Sequence, residues 1–206
     1  MLSARVIERL STYRRVLRSA ASTGKAAVYS HELAALSACT PAQVRRDIMT
    51  VGYTGTPAKG YDVSALVDEI SGVLDAPGNR AFALLGVGHI GQAVMAYFPG
   101  RSPHLTIAAA FDSDPQKAGR VIHGCRCYAM DELERVLGEQ GIDMALIAVP
   151  AAAAQPLADR LIEAGVKGLL NFAPVRLQVP PGVYVEHVDI TVSLEKVAFF
   201  ARSAKQ

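Results

Sequence analysis

Apolar and polar residues alternate along the chain in two different rhythms, and the change of rhythm divides it. From residue 3 to about 22 the apolar positions Val6, Leu10, Tyr13, Leu17 and Ala20 recur at three- and four-residue steps, which predicts an amphipathic helix ended by Gly24. Val28-Tyr29 reads as a brief extended link, and Ser30 as the cap of a short helix over 31–37 with Leu33 and Leu36 facing inward. Thr40-Pro-Ala-Gln43 has a capping threonine, proline at the first helical position and glutamine at the third. That box opens a helix to Val51, with Val44, Ile48 and Val51 inside and Gln43, Arg45, Arg46, Met49 and Thr50 outside. Two helices joined by a short turn, followed by the turn-rich aromatic stretch 52–61, form a helix-turn-helix pattern with room for a β-wing. A further amphipathic helix spans 63–74, with Leu66, Val67, Ile70 and Leu74 inward, and is expected to link two domains across the turn cluster 75–79.

After residue 80 the rhythm becomes short apolar runs separated by helical stretches, the signature of βαβ units around a parallel sheet. Strands are predicted at 81–85, 105–111, 143–149, 167–171 and 183–187, and helices at 92–97, 131–140 and 152–164. A last helix from about Thr191 or Ser193 carries the apolar stripe Leu194, Val197, Phe200 and Ala201. That stripe must pack on the chain's own sheet or on a second subunit. The expected class is α/β: a winged helix-turn-helix domain and linker helix over 1–77, a Rossmann-like parallel-sheet domain over 78–189, and a C-terminal helix over 190–206.

The first strand runs into Gly86-Val-Gly-His-Ile-Gly91. In this context the first glycine permits the tight turn, the second lets a pyrophosphate approach the backbone, and the third lets the helix pack close to the sheet. Asp112 ends the next strand, 21 residues past Gly91, where a partner for a ribose hydroxyl belongs. Ligands in such sheets bind beyond the carboxyl ends of the strands. The candidate dinucleotide-binding residues are therefore Gly86, Val87, Gly88, His89, Ile90, Gly91, Asp112, Asp114, Val149, Pro150, Asn171, Phe172 and Ala173.

Charge sharpens the division. Residues 1–60 carry nine Lys/Arg against three Asp/Glu, and the rest carries 12 against 16, so a basic head precedes an acidic body. A basic helix-turn-helix with glutamine and arginine outward suits a nucleic-acid duplex. The candidate DNA-binding residues are Gln43, Arg45, Arg46, Thr50, Lys59 and Tyr61. Cys39, Cys125 and Cys127 lack the spacing of a zinc site and read as reduced thiols in a cytoplasmic protein, and no run has the length of a membrane span.

Taken together, Gln43-Val-Arg-Arg-Asp47, Lys59-Gly-Tyr61, Gly86-Val-Gly-His-Ile-Gly91, Phe111-Asp-Ser-Asp-Pro115, Ala148-Val-Pro-Ala151, Leu170-Asn-Phe-Ala-Pro174 and Val188-Asp189 resemble the Rex family of redox-sensing transcriptional repressors. The resemblance runs over nearly the whole chain. It implies a homodimer whose C-terminal helix is exchanged between subunits, a winged helix on operator DNA, and NAD(H) as the cofactor. In the family NAD+ permits DNA binding and NADH releases it. The resemblance also implies that Tyr97 and Arg15 compete for Asp189 as a redox switch. The chain departs from the family at Ile48-Met49, where leucine and serine are usual, and at Pro57 and Ala58, where arginine and glycine are common in the wing. No catalytic residue is expected, since residues 80–206 leave no room for a substrate domain. The alternatives are an NAD-dependent oxidoreductase, or a dinucleotide-binding protein with weakened DNA binding.

Overall fold

A computed structural model describes residues 2–56, 59–75, 80–99 and 104–203. The wing positions Pro57 and Ala58, and residues 76–79 of the expected boundary, lie outside the described residues. The chain forms two compact units, Met1–Gly78 and Asn79–Gln206.

The first unit holds helices α1 (Ala4–Ser22), α2 (Ser30–Leu36), α3 (Pro41–Thr50) and α4 (Val63–Leu74), with a two-stranded antiparallel ribbon of β1 (Ala27–Val28) and β2 (Tyr61–Asp62). Its core forms where the apolar stripes meet: Leu10, Tyr13 and Leu17 of α1, Leu33 of α2, Val44 and Ile48 of α3, and Leu66 and Ile70 of α4. Each fully buried aliphatic side chain contributes about 1.5–3 kcal/mol. Gly24, at φ +80°, turns the chain out of α1, as the sequence predicts. Two details of α2 differ from expectation. Ser30 is its first residue, and the cap is Tyr29, whose N–H donates to the Glu32 carboxylate at 2.8 Å. Leu36 is 65% exposed; Ala34 takes the inward place beside Leu33.

The second unit contains β3 (Arg80–Leu85), α5 (His89–Tyr97), β4 (Leu105–Asp112), β5 (Val121–Ile122), β6 (Cys125–Ala129), α6 (Leu133–Gln140), β7 (Met144–Ile147), α7 (Ala151–Glu163), β8 (Gly168–Asn171), β9 (Tyr184–His187) and α8 (Ile190–Ser203). The strands lie in the order β5-β6-β4-β3-β7-β8-β9, parallel except for the β5–β6 hairpin. With β5 set aside as an added edge, this is the doubly wound 3-2-1-4-5-6 order, and its switch point lies between β3 and β7. Leu85 is in register with Phe111 on one side and Ile147 on the other. The register brings Gly86, Asp112 and Ala148 to the same edge of the sheet, which is why residues far apart in sequence form one site. On α8, Ile190, Val192, Leu194, Val197, Phe199 and Phe200 are all exposed, so this apolar helix is left uncovered by its own chain. No helix among the described residues is long and apolar enough to cross a membrane.

Candidate functional site: a glycine turn at the sheet switch point and an outward helix face

Gly86 leaves β3 with φ +93°. A Cβ here would lie 2.5 Å from the Ala148 carbonyl oxygen, so the turn can close against the β7 loop only without one. At Gly91 a Cβ would overlap the Gly86 carbonyl oxygen, and the first turn of α5 therefore packs directly on the loop. Gly88 differs from both. Nothing lies within 4 Å of where its Cβ would be, and no side chain caps α5 there. Two glycines are required by the protein itself, and the third keeps a helix N-terminus open to an anion.

Asp112 is fixed beside this turn. Its Oδ2 accepts the Val87 N–H at 2.7 Å, its Oδ1 accepts the Asp114 N–H at 2.9 Å, and Lys117 Nζ stands 3.0 Å from Oδ2. Burial pushes its pKa up, but the Asp114 and Val87 N–H groups and the Lys117 ammonium more than reverse that, so the carboxylate stays charged. A cavity of about 430 Å³ opens here, lined by Gly86, Gly88, Asp112, Val149 and Pro150 among others. Ser113, Lys117, Met130 and Arg160, none of them marked by the sequence motifs, also line it. Of these only Lys117, five residues past Asp112, left a signal that could have been read.

Other predicted residues serve the site differently. The Val87 side chain is buried, and its contribution is the N–H to Asp112. His89 and Ile90 are exposed on the first turn of α5. The Asp114 carboxylate accepts the Gln116 N–H at 2.9 Å and holds its own turn. The Asn171 side chain is fully buried and hydrogen-bonded within the protein. Its Oδ1 accepts the Ala173 N–H at 3.0 Å, its Nδ2 donates to the Ala173 and Val175 carbonyls at 3.1 and 2.8 Å, and His187 Nδ1 lies 3.2 Å away. It shapes the loop after β8 and has little left for a ligand. Phe172 packs on the apolar cluster around Leu84 and Leu146. Ala173 lines a separate cavity of about 470 Å³ with Arg176, His187, Asp189 and Lys196.

In the first unit, the capping box at Thr40 forms as predicted, which binds the Gln43 side chain: its Oε1 accepts the Thr40 N–H at 3.0 Å. The Thr50 hydroxyl donates to the Asp47 carbonyl at 2.6 Å. Arg45 is exposed and reaches Ser30 Oγ at 3.1 Å, and Arg46 is exposed. Lys59 stands exposed in the turn closed by the Thr56–Gly60 bridge. The Tyr61 ring is largely buried in the core beside Tyr53, and burial raises its pKa. It anchors the base of the wing, and its remaining surface lines a cavity with Tyr29, Ser30 and Arg45.

Asp47, which the sequence reading gave no role, is 2% exposed. Arg9 of α1 grips it with Nε and Nη2 at 2.6 and 2.7 Å, and the Tyr13 hydroxyl donates at 3.0 Å. This bond sets the roll of α3 on α1. The three residues of the expected switch stand on three elements: Arg15 exposed on α1, Tyr97 exposed at the end of α5, and Asp189 at the start of α8, where Oδ1 accepts the Val192 N–H at 3.0 Å.

Two family models match the chain: one described as "CoA binding domain" over residues 79–175, the other as "Putative DNA-binding protein N-terminus" over residues 1–48. Relatives named redox-sensing transcriptional repressor Rex match almost end to end. That of Roseiflexus sp. (strain RS-1) is 40% identical over 195 residues, 95% of this chain and 89% of its own. That of Anoxybacillus flavithermus (strain DSM 21510 / WK1) is 39% identical over 95% of this chain and 92% of its own. Among solved structures, RSP, a Rex-family repressor, superposes in its complex with β-NAD+ and operator DNA with a TM-score of 0.91 at 28% identity, over 100% of this chain and 94% of RSP. In its β-NADH complex the TM-score is 0.88 at 28% identity, over 100% of this chain and 96% of RSP.

Proposed function

The chain belongs to the Rex family of redox-sensing transcriptional repressors, and from that premise we propose how its two units divide the work. The second unit binds NAD(H) in the cavity at the carboxyl ends of β3, β4 and β7. The first binds operator DNA through the outer face of α3 and the Lys59 turn. The chain holds its operator with NAD+ or with no coenzyme, and NADH releases it. The cavity serves recognition, and no catalytic role is assigned to its residues.

Gly88 carries the coenzyme half of this reading. It is the one motif glycine whose missing side chain the fold does not use, and the space it leaves lies at the uncapped start of α5 beside a fixed carboxylate. When bound, the coenzyme supplies a change of charge, since its nicotinamide ring is cationic when oxidised and neutral when reduced. Gly88 and the first turn of α5 would receive the pyrophosphate, and Asp112 would accept from the adenosine ribose.

The same carboxylate predicts selectivity. A 2′-phosphate would meet the charge of Asp112, which Lys117 offsets only in part. NADH is therefore expected to bind at least about tenfold more tightly than NADPH, a difference of ~1.4 kcal/mol, with Asp112→Ala narrowing the gap to about threefold. Calorimetry measures both, and equal affinities in the wild-type chain would remove Asp112 from this role.

We assign the uncovered apolar row of α8 to a second copy of the chain, in a homodimer that exchanges this helix and works in the cytoplasm. Arg15, Tyr97 and Asp189 are the proposed coupling residues. Asp189→Asn keeps the oxygen that caps α8 and removes only the charge. It is expected to bind both ligands yet no longer leave DNA when NADH is added; a normal NADH response in a gel shift excludes Asp189 from the switch.

A further inference from the structure

On α3, Val44, Asp47 and Ile48 are buried, and Val51 follows on the same side. At 3.6 residues per turn, the positions directly opposite are Ala42, Arg46 and Met49, one row along the helix. Arg45 flanks that row on one side, Gln43 and Thr50 on the other. Of the two polar flankers on the second side, Gln43 commits its Oε1 to the Thr40 cap and Thr50 its hydroxyl to the Asp47 carbonyl. The part of α3 farthest from the core is thus a cation between two apolar side chains. Met49 is the large one and is 67% exposed.

The Arg9–Asp47–Tyr13 bond fixes which way this row points, so the exposure of Met49 follows from how the helix is seated. A thioether has almost no hydrogen-bonding capacity and cannot read the polar edge of a base. In the major groove the apolar feature is the C5 methyl group of thymine. An unbranched methionine can adjust its rotamers to reach it.

We propose that Met49 is a specificity-determining residue that packs on a thymine methyl group next to the base read by Arg46. The proposal rests on the reading that α3 enters the major groove. Arg46 supplies the polar contact and Met49 the apolar one, one helical turn further along the same row.

The test uses the full chain with NAD+ and a duplex it has itself selected from a pool of randomised DNA. Each thymine is then replaced singly by uracil, which removes the methyl group and nothing else. At one thymine in each half-site the wild type is expected to lose about fourfold in affinity, the effect of exposing one buried methyl group. Met49→Ala is expected to lose a similar factor on the thymine duplex and to bind the thymine and uracil duplexes equally at that position. Arg46→Ala is expected to bind more weakly throughout yet keep the methyl effect. The proposal is overturned if every uracil duplex binds like the parent, or if Met49→Ala retains the full methyl effect. If instead Arg46→Ala binds as tightly as the wild type, or the chain selects no duplex, the assignment of α3 to the groove fails and the proposal with it.

Discussion

Gly88→Ala is expected to weaken NADH binding by about 10- to 150-fold, equivalent to the loss of one hydrogen bond to a charged group at ~1.5–3 kcal/mol, while the second unit melts where the wild type does. The backbone of Gly88, at φ −82° and ψ −162°, is open to alanine, and its Cβ would meet no atom within 4 Å. The only thing the methyl group can obstruct is a ligand. Gly91→Ala is expected to behave differently. Its Cβ would strike the Gly86 carbonyl oxygen, which belongs to backbone and cannot swing aside, so α5 must move off the sheet. That variant should lose both binding and several kcal/mol of stability, on the scale of overpacking in a core. Thermal melting followed by calorimetric titration separates the two. A Gly88→Ala chain that binds NADH normally would mean that no pyrophosphate approaches this turn.

The second large effect is expected at Asp47. Its removal leaves the Arg9 guanidinium without its partner and deprives the Tyr13 hydroxyl of an acceptor. Breaking a buried ion pair by deleting one partner costs ~3–5 kcal/mol, and because a quarter of Arg9 remains exposed the lower end applies, about 3 kcal/mol. For a unit of this size that lowers the melting temperature by roughly 10–20 °C. The bond also has a pH signature. Burial alone would raise the Asp47 pKa, but the hydrogen bonds from Arg9 and Tyr13 outweigh burial and hold it below the ordinary carboxylate value. A depressed folded pKa means that the stabilisation is complete above about pH 4, where the unfolded carboxyl is ionised, and is lost as pH falls through the lower folded value. Asp47→Asn should therefore be less stable than the wild type at pH 7, and the gap should narrow as pH falls below about 4. Circular dichroism melts over a descending pH series measure this. Equal stability at pH 7 would show that the α1–α3 bond contributes little.

These two sites also show what could be read from sequence. The glycine turn was legible because its demands are local: a strand, a tight turn and a helix follow one another within eleven residues. α1, α3 and α4 were legible through their periodicity, and α3 also through the capping box that opens it. Asp47 was not, because the partners that make it structural are 34 and 38 residues away, and a charge next to two arginines reads as surface. The structural duties of Asn171 and Tyr61 were hidden for the same reason. A polar residue at a strand end and an aromatic in a wing look like ligands until the loop and core they hold together are seen. The β5–β6 hairpin escaped as well. It turns through His123 and Gly124, both with positive φ, the geometry of a two-residue hairpin usually announced by asparagine or aspartate before glycine. Its strands are too short to show an alternation of their own. The thiols of β6 are simple by comparison: burial pushes the Cys125 pKa up to about 11 and raises that of Cys127, so neither is poised as a nucleophile.

The redox state of a coenzyme bound in the second unit is expected to set the DNA affinity of the first. The most direct measurement is the affinity of the full chain for its selected duplex, by fluorescence anisotropy, as the NADH to NAD+ ratio is swept at constant total coenzyme. Affinity is expected to fall by about tenfold or more towards the NADH end, within the usual range of coupling between two sites. An affinity that stays the same from pure NAD+ to pure NADH, with both coenzymes shown to be bound, would contradict the account.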